Sequence, residues 1–154
     1  MTPFTRKKDL KNNWYLVNAD NVVVGRLAAY ISKLLRGKNK PQYSPNLPVG
    51  DGVIIINTDK VRFSGNKTTD KKYYKHTGHP GGIKEITPEK LKEKNKSDDI
   101  IKKAIKGMLP NSPLFRDLMK NNLKIYKDAN HPHDSQNPKL LDFKSMNRKN
   151  EVNV

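Results

Sequence analysis

Apolar residues in the first half of the chain alternate between the spacing of strands and the spacing of a helix. Residues 14–18 form a short run of aromatic and β-branched side chains, which predicts a strand. Between residues 26 and 36, leucine and isoleucine recur at helical spacing, which predicts a helix closed by a left-handed cap at Gly37. Residues 53–56 are Val-Ile-Ile-Ile. Such a continuous apolar run is typical of a strand buried on both faces within a parallel sheet.

The second half of the chain predicts shorter elements. Thr87 followed by Pro88 has the residue types favoured at the N-cap and the first position of a helix. The apolar side chains between residues 98 and 108 predict an amphipathic helix with Met108 on its buried face. Three further elements are predicted: a short strand at residues 61–64, a helix at 112–119 and a final strand at 123–126. The order of strands and helices indicates an α/β sandwich around a mostly parallel sheet.

Composition limits the size and type of the fold. The chain has 154 residues, of which 34% are hydrophobic, so we expect one domain with a modest core and polar arms. We place a basic N-terminal arm at residues 1–13, a single α/β domain at 14–128 and an extended C-terminal tail at 129–154. The absence of cysteine excludes disulfides and thiolate metal sites. No apolar run reaches the ~18 residues of a membrane span, and no apolar stretch of a secretory signal follows the N-terminus.

The charge of the chain points to a polyanionic partner. Lys and Arg number 31 against 15 Asp and Glu, which gives a net charge of +16 at pH 7 and a pI of about 10.0. A net charge this far from zero works against compaction, because like charges repel one another within the fold. We therefore expect a nucleic acid to neutralise part of it.

The most informative part of the chain is the basic, glycine-rich stretch at residues 64–84, which we call the basic segment. It has four glycines and almost no aliphatic side chains, so it cannot form a core by itself. Its lysines suit contacts with phosphates, and its tyrosines offer flat faces to unpaired bases. Tyr73 and Tyr74 are adjacent, so in an extended strand their rings point to opposite faces. We expect Tyr74 to be the free ring and Tyr73 to pack.

Four histidines allow a second interpretation. His76 and His79 form an H-x-x-H pattern, and His131 and His133 form an H-x-H pattern. Imidazole is a common zinc ligand, so a metal-dependent RNA-processing enzyme is an alternative. Both patterns lie in polar loops without an acidic cluster, which favours hydrogen bonding to phosphate or ribose and no bound metal.

Several motifs resemble one known family. Residues 65–82 (GNKTTDKKYYKHTGHPGG), 104–110 (AIKGMLP) and 130–133 (NHPH) closely resemble the L-thirteen family of large-subunit ribosomal proteins, in its bacterial form. Residues 14–15 (WY) and 25–28 (GRLA) also fit, so the resemblance covers the chain from Trp14 to Asp142. It implies a three-layer α/β/α domain around a four-stranded parallel sheet. It also implies direct binding of ribosomal RNA as an early assembly component.

The resemblance gives the functional expectations a concrete form. The protein is expected to be a non-enzymatic structural constituent of the large ribosomal subunit, with no cofactor and no small-molecule substrate. Its expected partners are large-subunit ribosomal RNA and neighbouring large-subunit proteins, without a membrane. We expect it in cytoplasmic ribosomes, with an organellar ribosome or a free regulatory RNA-binding role as alternatives. The residues expected to contact RNA are Arg26, Arg36, Lys38, Lys40, Lys67, Lys71, Lys72, Tyr74, Lys75, His76, His79, Lys106, Arg116, His131 and His133.

Overall fold

The computed structural model describes residues 6, 8 and 10–151. Its strands are β1 (Trp14–Asn18), β2 (Gly52–Ile56), β3 (Tyr73–His76), β4 (Ile83–Ile86), β5 (Leu123–Ile125) and β6 (Lys139–Leu141). Its helices are α1 (Val24–Arg36), α2 (Lys67–Asp70), α3 (Pro88–Glu93), α4 (Ser97–Met108) and α5 (Pro113–Asn121).

Four strands form a parallel sheet in the order β5-β2-β1-β6, flanked by helices. All five residues of β2 are buried, as expected for a continuous apolar run at the centre of a parallel sheet. Helix α1 connects β1 to β2, and it packs against α4 and α5. This arrangement confirms the predicted α/β sandwich. Strands β3 and β4 form a separate antiparallel hairpin, which lies in the basic segment except for the last two residues of β4.

The helices begin and end where local chemistry favours it. In α1, Leu27, Ile31 and Leu35 are fully buried, because their spacing places them on one helix face. Gly37 follows with a φ of 72°, and its N–H donates to the Leu34 carbonyl, which closes the helix in the left-handed conformation that glycine tolerates. The Oγ1 of Thr87 accepts a hydrogen bond of 3.4 Å from the Lys90 N–H and caps α3. These features confirm the predicted helices and caps.

Two close approaches fix the turn that leads into β2. A Cβ on Gly50 would lie 1.8 Å from the carbonyl oxygen of Leu35, and a Cβ on Gly52 would lie 2.4 Å from the indole ring of Trp14. Only glycine lets the chain pass this close to the end of α1 at residue 50 and to the Trp14 ring at residue 52. Between these glycines, the buried carboxylate of Asp51 lies 2.6 Å from the ammonium of Lys40.

The predicted strand at residues 61–64 is wrong. Only Arg62 pairs there, in an isolated bridge with Val23, and Val61 is buried without joining the sheet. The chain turns away at Gly65, whose φ is 66°, so the apolar run is too short to extend a ladder. Met108 was predicted on the buried face of α4 but is 43% exposed. It is the last residue of the helix and lines an open cleft.

The prediction of an extended tail at 129–154 did not include the strand that forms there. Residues 139–141 form β6, which pairs with β1 as an edge of the main sheet, so a domain boundary at residue 128 lies too early. Phe143 is buried against the ring of Tyr30, with 5.3 Å between ring centroids. A three-residue strand has no recognisable period, and its apolar contacts come from distant parts of the chain. Of the predicted arm at 1–13, only residues 6, 8 and 10–13 lie within the described residues.

Candidate nucleic-acid interface

The hairpin of β3 and β4 presents two different faces. Tyr73 pairs with Ile86 and both pack against the core, whereas Tyr74 is 64% exposed on the other face. Burial raises the pKa of Tyr73, because its phenolate would lose hydration. The outward face also carries Ile83, which is 62% exposed. The prediction that Tyr74 is the free ring of the adjacent pair is confirmed.

Two like charges face each other across this hairpin. Lys75 of β3 lies directly opposite Lys84 of β4, and both side chains are exposed. Like charges at directly opposite positions destabilise an antiparallel pair. A phosphate between the two ammonium groups would turn this repulsion into attraction on both sides.

Three more lysines adjoin the hairpin. Lys67 lies on α2, and the ammonium of Lys71, just after α2, lies 5.3 Å from the Tyr73 ring centroid. The ammonium of Lys103, on α4, lies 4.7 Å from the same centroid. Tyr73 therefore holds two cations near its ring through cation–π attraction. We call the group of Lys67, Lys71, Lys75, Lys84, Lys103 and Tyr74 the hairpin surface. Strand alternation places Lys75 and Lys84 on the Tyr73 side of the hairpin, and Tyr74 projects from the opposite side.

Sequence reasoning missed two members of the hairpin surface. Lys84 carries a signal that could have found it, because pairing the strand at Tyr73 with the one at Ile86 places Lys84 opposite Lys75. Lys103 carries no such signal. It is one of many exposed helix lysines, and only the packing of α4 beside the hairpin distinguishes it.

Lys72 is held within the protein more than the other lysines of the basic segment. Its ammonium lies 2.8 Å from the carboxylate of Glu85, and both side chains are about half exposed. The hydrogen bond and the negative charge of Glu85 raise the pKa of Lys72. Part of its charge is therefore neutralised inside the hairpin.

The two histidine pairs lie in different settings. His76 accepts a hydrogen bond of 2.9 Å from the Gly78 N–H through Nδ1, which shapes the tip of the hairpin, and His79 is exposed beside it. His133 lies 2.6 Å from the Tyr126 hydroxyl and stacks on Trp14, with 6.3 Å between centroids. His131 Nδ1 accepts from the His133 N–H at 3.3 Å. The second pair thus stabilises a loop after β5.

No metal site emerges from these histidines in the part of the chain that the structure describes. Within residues 6, 8 and 10–151, no three His, Asp or Glu side chains come together as a ligand set. The same residues contain no helix long and apolar enough to cross a bilayer.

The cations around the end of α1 are mostly engaged in packing. The guanidinium of Arg36 lies 5.6 Å from the Phe115 ring centroid and donates to the Tyr43 hydroxyl at 3.2 Å. Lys40 pairs with Asp51 and also donates to the carbonyls of Lys11, at 2.8 Å, and Val49, at 3.0 Å. All three of its ammonium protons have partners inside the protein. Of the cations predicted here, only Lys38 is exposed.

The remaining predicted contacts are exposed but lie apart from the hairpin strands. Arg26 lines a shallow hollow with Arg148 and Lys149, two cations that the sequence reasoning did not select. Lys106 and Arg116 line a second hollow with the apolar side chain of Phe115. These residues offer cationic contacts beyond the hairpin surface.

Known proteins are similar in sequence to this chain over nearly its whole length. The model of a family described as Ribosomal protein L13 matches residues 12–132. The large ribosomal subunit protein uL13 of Geobacter sulfurreducens is 51% identical over 142 residues, which covers 92% of this chain and 98% of that protein. The uL13 protein of Mesorhizobium japonicum is 49% identical over 152 residues, with 98% of each chain covered. The chain therefore belongs to the ribosomal protein L13 family.

Proposed function

We propose that this protein is a non-catalytic structural component of the large ribosomal subunit. It binds ribosomal RNA directly and helps the subunit to assemble in the cytoplasm, next to other large-subunit proteins. The observation that carries the proposal is the hairpin surface, where Lys75 and Lys84 of the hairpin lie near the exposed lysines of α2 and α4 and the exposed Tyr74 projects from the hairpin. Family membership supports the same role.

Charge and shape account for the binding. Each lysine that meets a phosphate releases condensed counterions, which favours association at low salt. The Lys75 and Lys84 pair supplies two facing cations, and Tyr74 offers a ring on which an unpaired base can stack. Arg26, Lys38, Lys106, Arg116 and the Arg148 and Lys149 pair extend the cationic area around the fold.

Sedimentation tests the cellular role. Cell extract is resolved on a sucrose gradient at magnesium concentrations that keep subunits intact, and the protein is detected in each fraction. We expect it with free large subunits and with whole ribosomes, and absent from free small subunits. A protein found mainly near the top of the gradient would contradict the proposal and favour a free regulatory role.

Tyr74 tests the stacking contact. Replacing Tyr74 with alanine should weaken binding to large-subunit ribosomal RNA by about 1–3 kcal/mol, because a base loses its stacking partner. The slope of log K against log salt should stay the same, since no charge is removed. Filter binding at several salt concentrations measures both quantities, and Tyr74→Phe is the matched control that keeps the ring. Equal affinity of Tyr74→Ala and the wild type would remove Tyr74 from the interface.

A further inference from the structure

A cleft of about 630 Å³ opens between the start of α1, helix α2 and the end of α4. Its apolar lining includes Val23, Phe63, Ala104 and Met108. Phe63 and Ala104 are half-buried, and Met108 is 43% exposed, so part of this apolar surface faces water. The volume lies within the range of pockets that hold small organic groups.

Cations surround the apolar lining. Lys67, Lys71 and Lys103 all border the cleft, and among the described residues none of them pairs with a carboxylate. The ammonium of Lys71 lies 5.8 Å from the Phe63 ring centroid. One carboxylate, that of Asp70, borders the same space. The rim therefore has an excess of positive charge over an apolar floor.

Two glycines keep the walls of the cleft open. A Cβ on Gly25 or on Gly107 would meet no atom within 4 Å. Gly107 lies inside α4 at a backbone conformation that other residues adopt, although glycine is less favourable there than alanine. No steric reason within the fold requires a glycine at this position. The missing side chain leaves room for a flat group from outside.

We propose that this cleft receives one unpaired base of the bound RNA, turned out of its helix. The base lies against Phe63 and Met108, and its flanking phosphates meet Lys67, Lys71 and Lys103. Unstacked bases that insert against apolar or aromatic side chains are a common means of RNA recognition. This inference rests on the proposed function, because it adds a base-binding site to the phosphate-binding surface beside it.

The charge of the rim favours RNA over an apolar peptide segment. A peptide docking on an apolar groove would leave three lysines beside the interface without neutralising them. An RNA strand supplies both the flat apolar group for the floor and the negative charges for the rim. The same chemistry could come from a free mononucleotide, so the test includes both sources.

The variant Gly107→Leu fills the cleft without changing the charge. Leucine favours the helix, and the open space around Gly107 accommodates its side chain, so thermal unfolding should occur at the wild-type temperature or above. Affinity for large-subunit ribosomal RNA should fall about 5- to 150-fold, the loss expected for one stacked base, with an unchanged salt slope. Ala29→Leu, at an exposed position of α1 that does not line the cleft, is the matched control and should bind like the wild type.

Base-specific chemical probing of the RNA gives a second readout. A base protected by the wild-type protein should become reactive with Gly107→Leu, while the backbone protection near the hairpin surface persists. If the wild type binds no ribosomal RNA, the proposed function itself fails. If the wild type binds and Gly107→Leu gives the same affinity and the same base reactivities, only the base-binding cleft is overturned.

Free mononucleotides form the last arm of the experiment. AMP and UMP are titrated while the methyl resonance of Met108 is followed by NMR. We expect weak binding that saturates only in the millimolar range and that ribosomal RNA displaces. Micromolar binding of a mononucleotide, together with unchanged RNA affinity of Gly107→Leu, would assign the cleft to a free nucleotide and overturn the inference.

Discussion

The salt dependence of RNA binding is expected to fall by about three units of slope when four lysines of the hairpin surface become glutamine, namely Lys67, Lys71, Lys75 and Lys84. Each phosphate contact contributes roughly 0.7 to 0.9 to the slope of log K against log salt. Four contacts therefore account for the change. The four side chains are exposed and none belongs to the core, so folding should be retained. Removing the facing pair of Lys75 and Lys84 should even relieve repulsion within the hairpin.

A control variant separates these contacts from net charge. Four exposed lysines elsewhere in the chain can be changed to glutamine with the same loss of charge: Lys90, Lys94, Lys96 and Lys120. Lys92 is left out of this set, because its ammonium donates to the Val61 carbonyl at 2.6 Å and burial lowers its pKa. The control should retain most of the slope. Binding isotherms at several salt concentrations measure both variants.

Two outcomes of this experiment would contradict the prediction that the hairpin lysines meet phosphates. If the control variant loses as much slope as the hairpin variant, the protein attracts RNA through its overall charge and the hairpin surface has no special role. If the hairpin variant loses affinity without any loss of slope, its lysines shape the hairpin and do not meet phosphates.

The elements with a strong period could be predicted from the sequence. The apolar positions of α1 and α4, the cap at Gly37 and the continuous run of β2 each contain their own evidence, and all four appear in the structure. Strand β6 has no such pattern in its own sequence. Its three residues include Lys139, and they become a strand because β1 offers an unpaired edge beside them.

The residues of the candidate site also differ in how far the sequence could predict their positions. The sequence could predict that Tyr73 and Tyr74 divide into one packed and one free ring, because adjacent residues of a strand face opposite sides, but this alternation does not say which ring is free. Lys38 and Lys40 could not be told apart, since both follow a helix in a basic run. The difference arises from Asp51, which lies 11 positions beyond Lys40 in the sequence and becomes its buried partner only after the chain folds back. Lys103 likewise gains its place through packing of α4 against Tyr73.

The histidines show how a short pattern can be ambiguous. His131 and His133 were expected at the RNA, and either a metal or a ribose would have suited their imidazoles. In the structure, His133 contacts Tyr126 and Trp14, neither of which belongs to the H-x-H pattern. Their role as RNA contacts stays a prediction. A stabilising role in the loop after β5 already explains their half-buried positions.

The buried pair of Lys40 and Asp51 should contribute more to stability than any other ion pair of the described residues, because Asp51 is the one partner with no exposed surface. Asp51 also accepts a hydrogen bond from the Asn13 N–H at 2.9 Å. Replacing Lys40 with methionine leaves this carboxylate buried without its cation. We expect a loss of about 3–5 kcal/mol in the free energy of unfolding, measured by urea denaturation.

A double variant tests whether the pair is the cause. In Lys40→Met with Asp51→Asn, the asparagine keeps an oxygen for the Asn13 N–H, and neither charge remains. This double variant should be more stable than Lys40→Met alone, because no unpaired charge is buried. The neighbouring change Lys38→Met, at an exposed lysine, should alter stability by no more than about 0.5 kcal/mol. If Lys40→Met keeps wild-type stability but loses RNA affinity, Lys40 contacts RNA as the sequence first suggested, and its contact with Asp51 is not what holds the turn before β2.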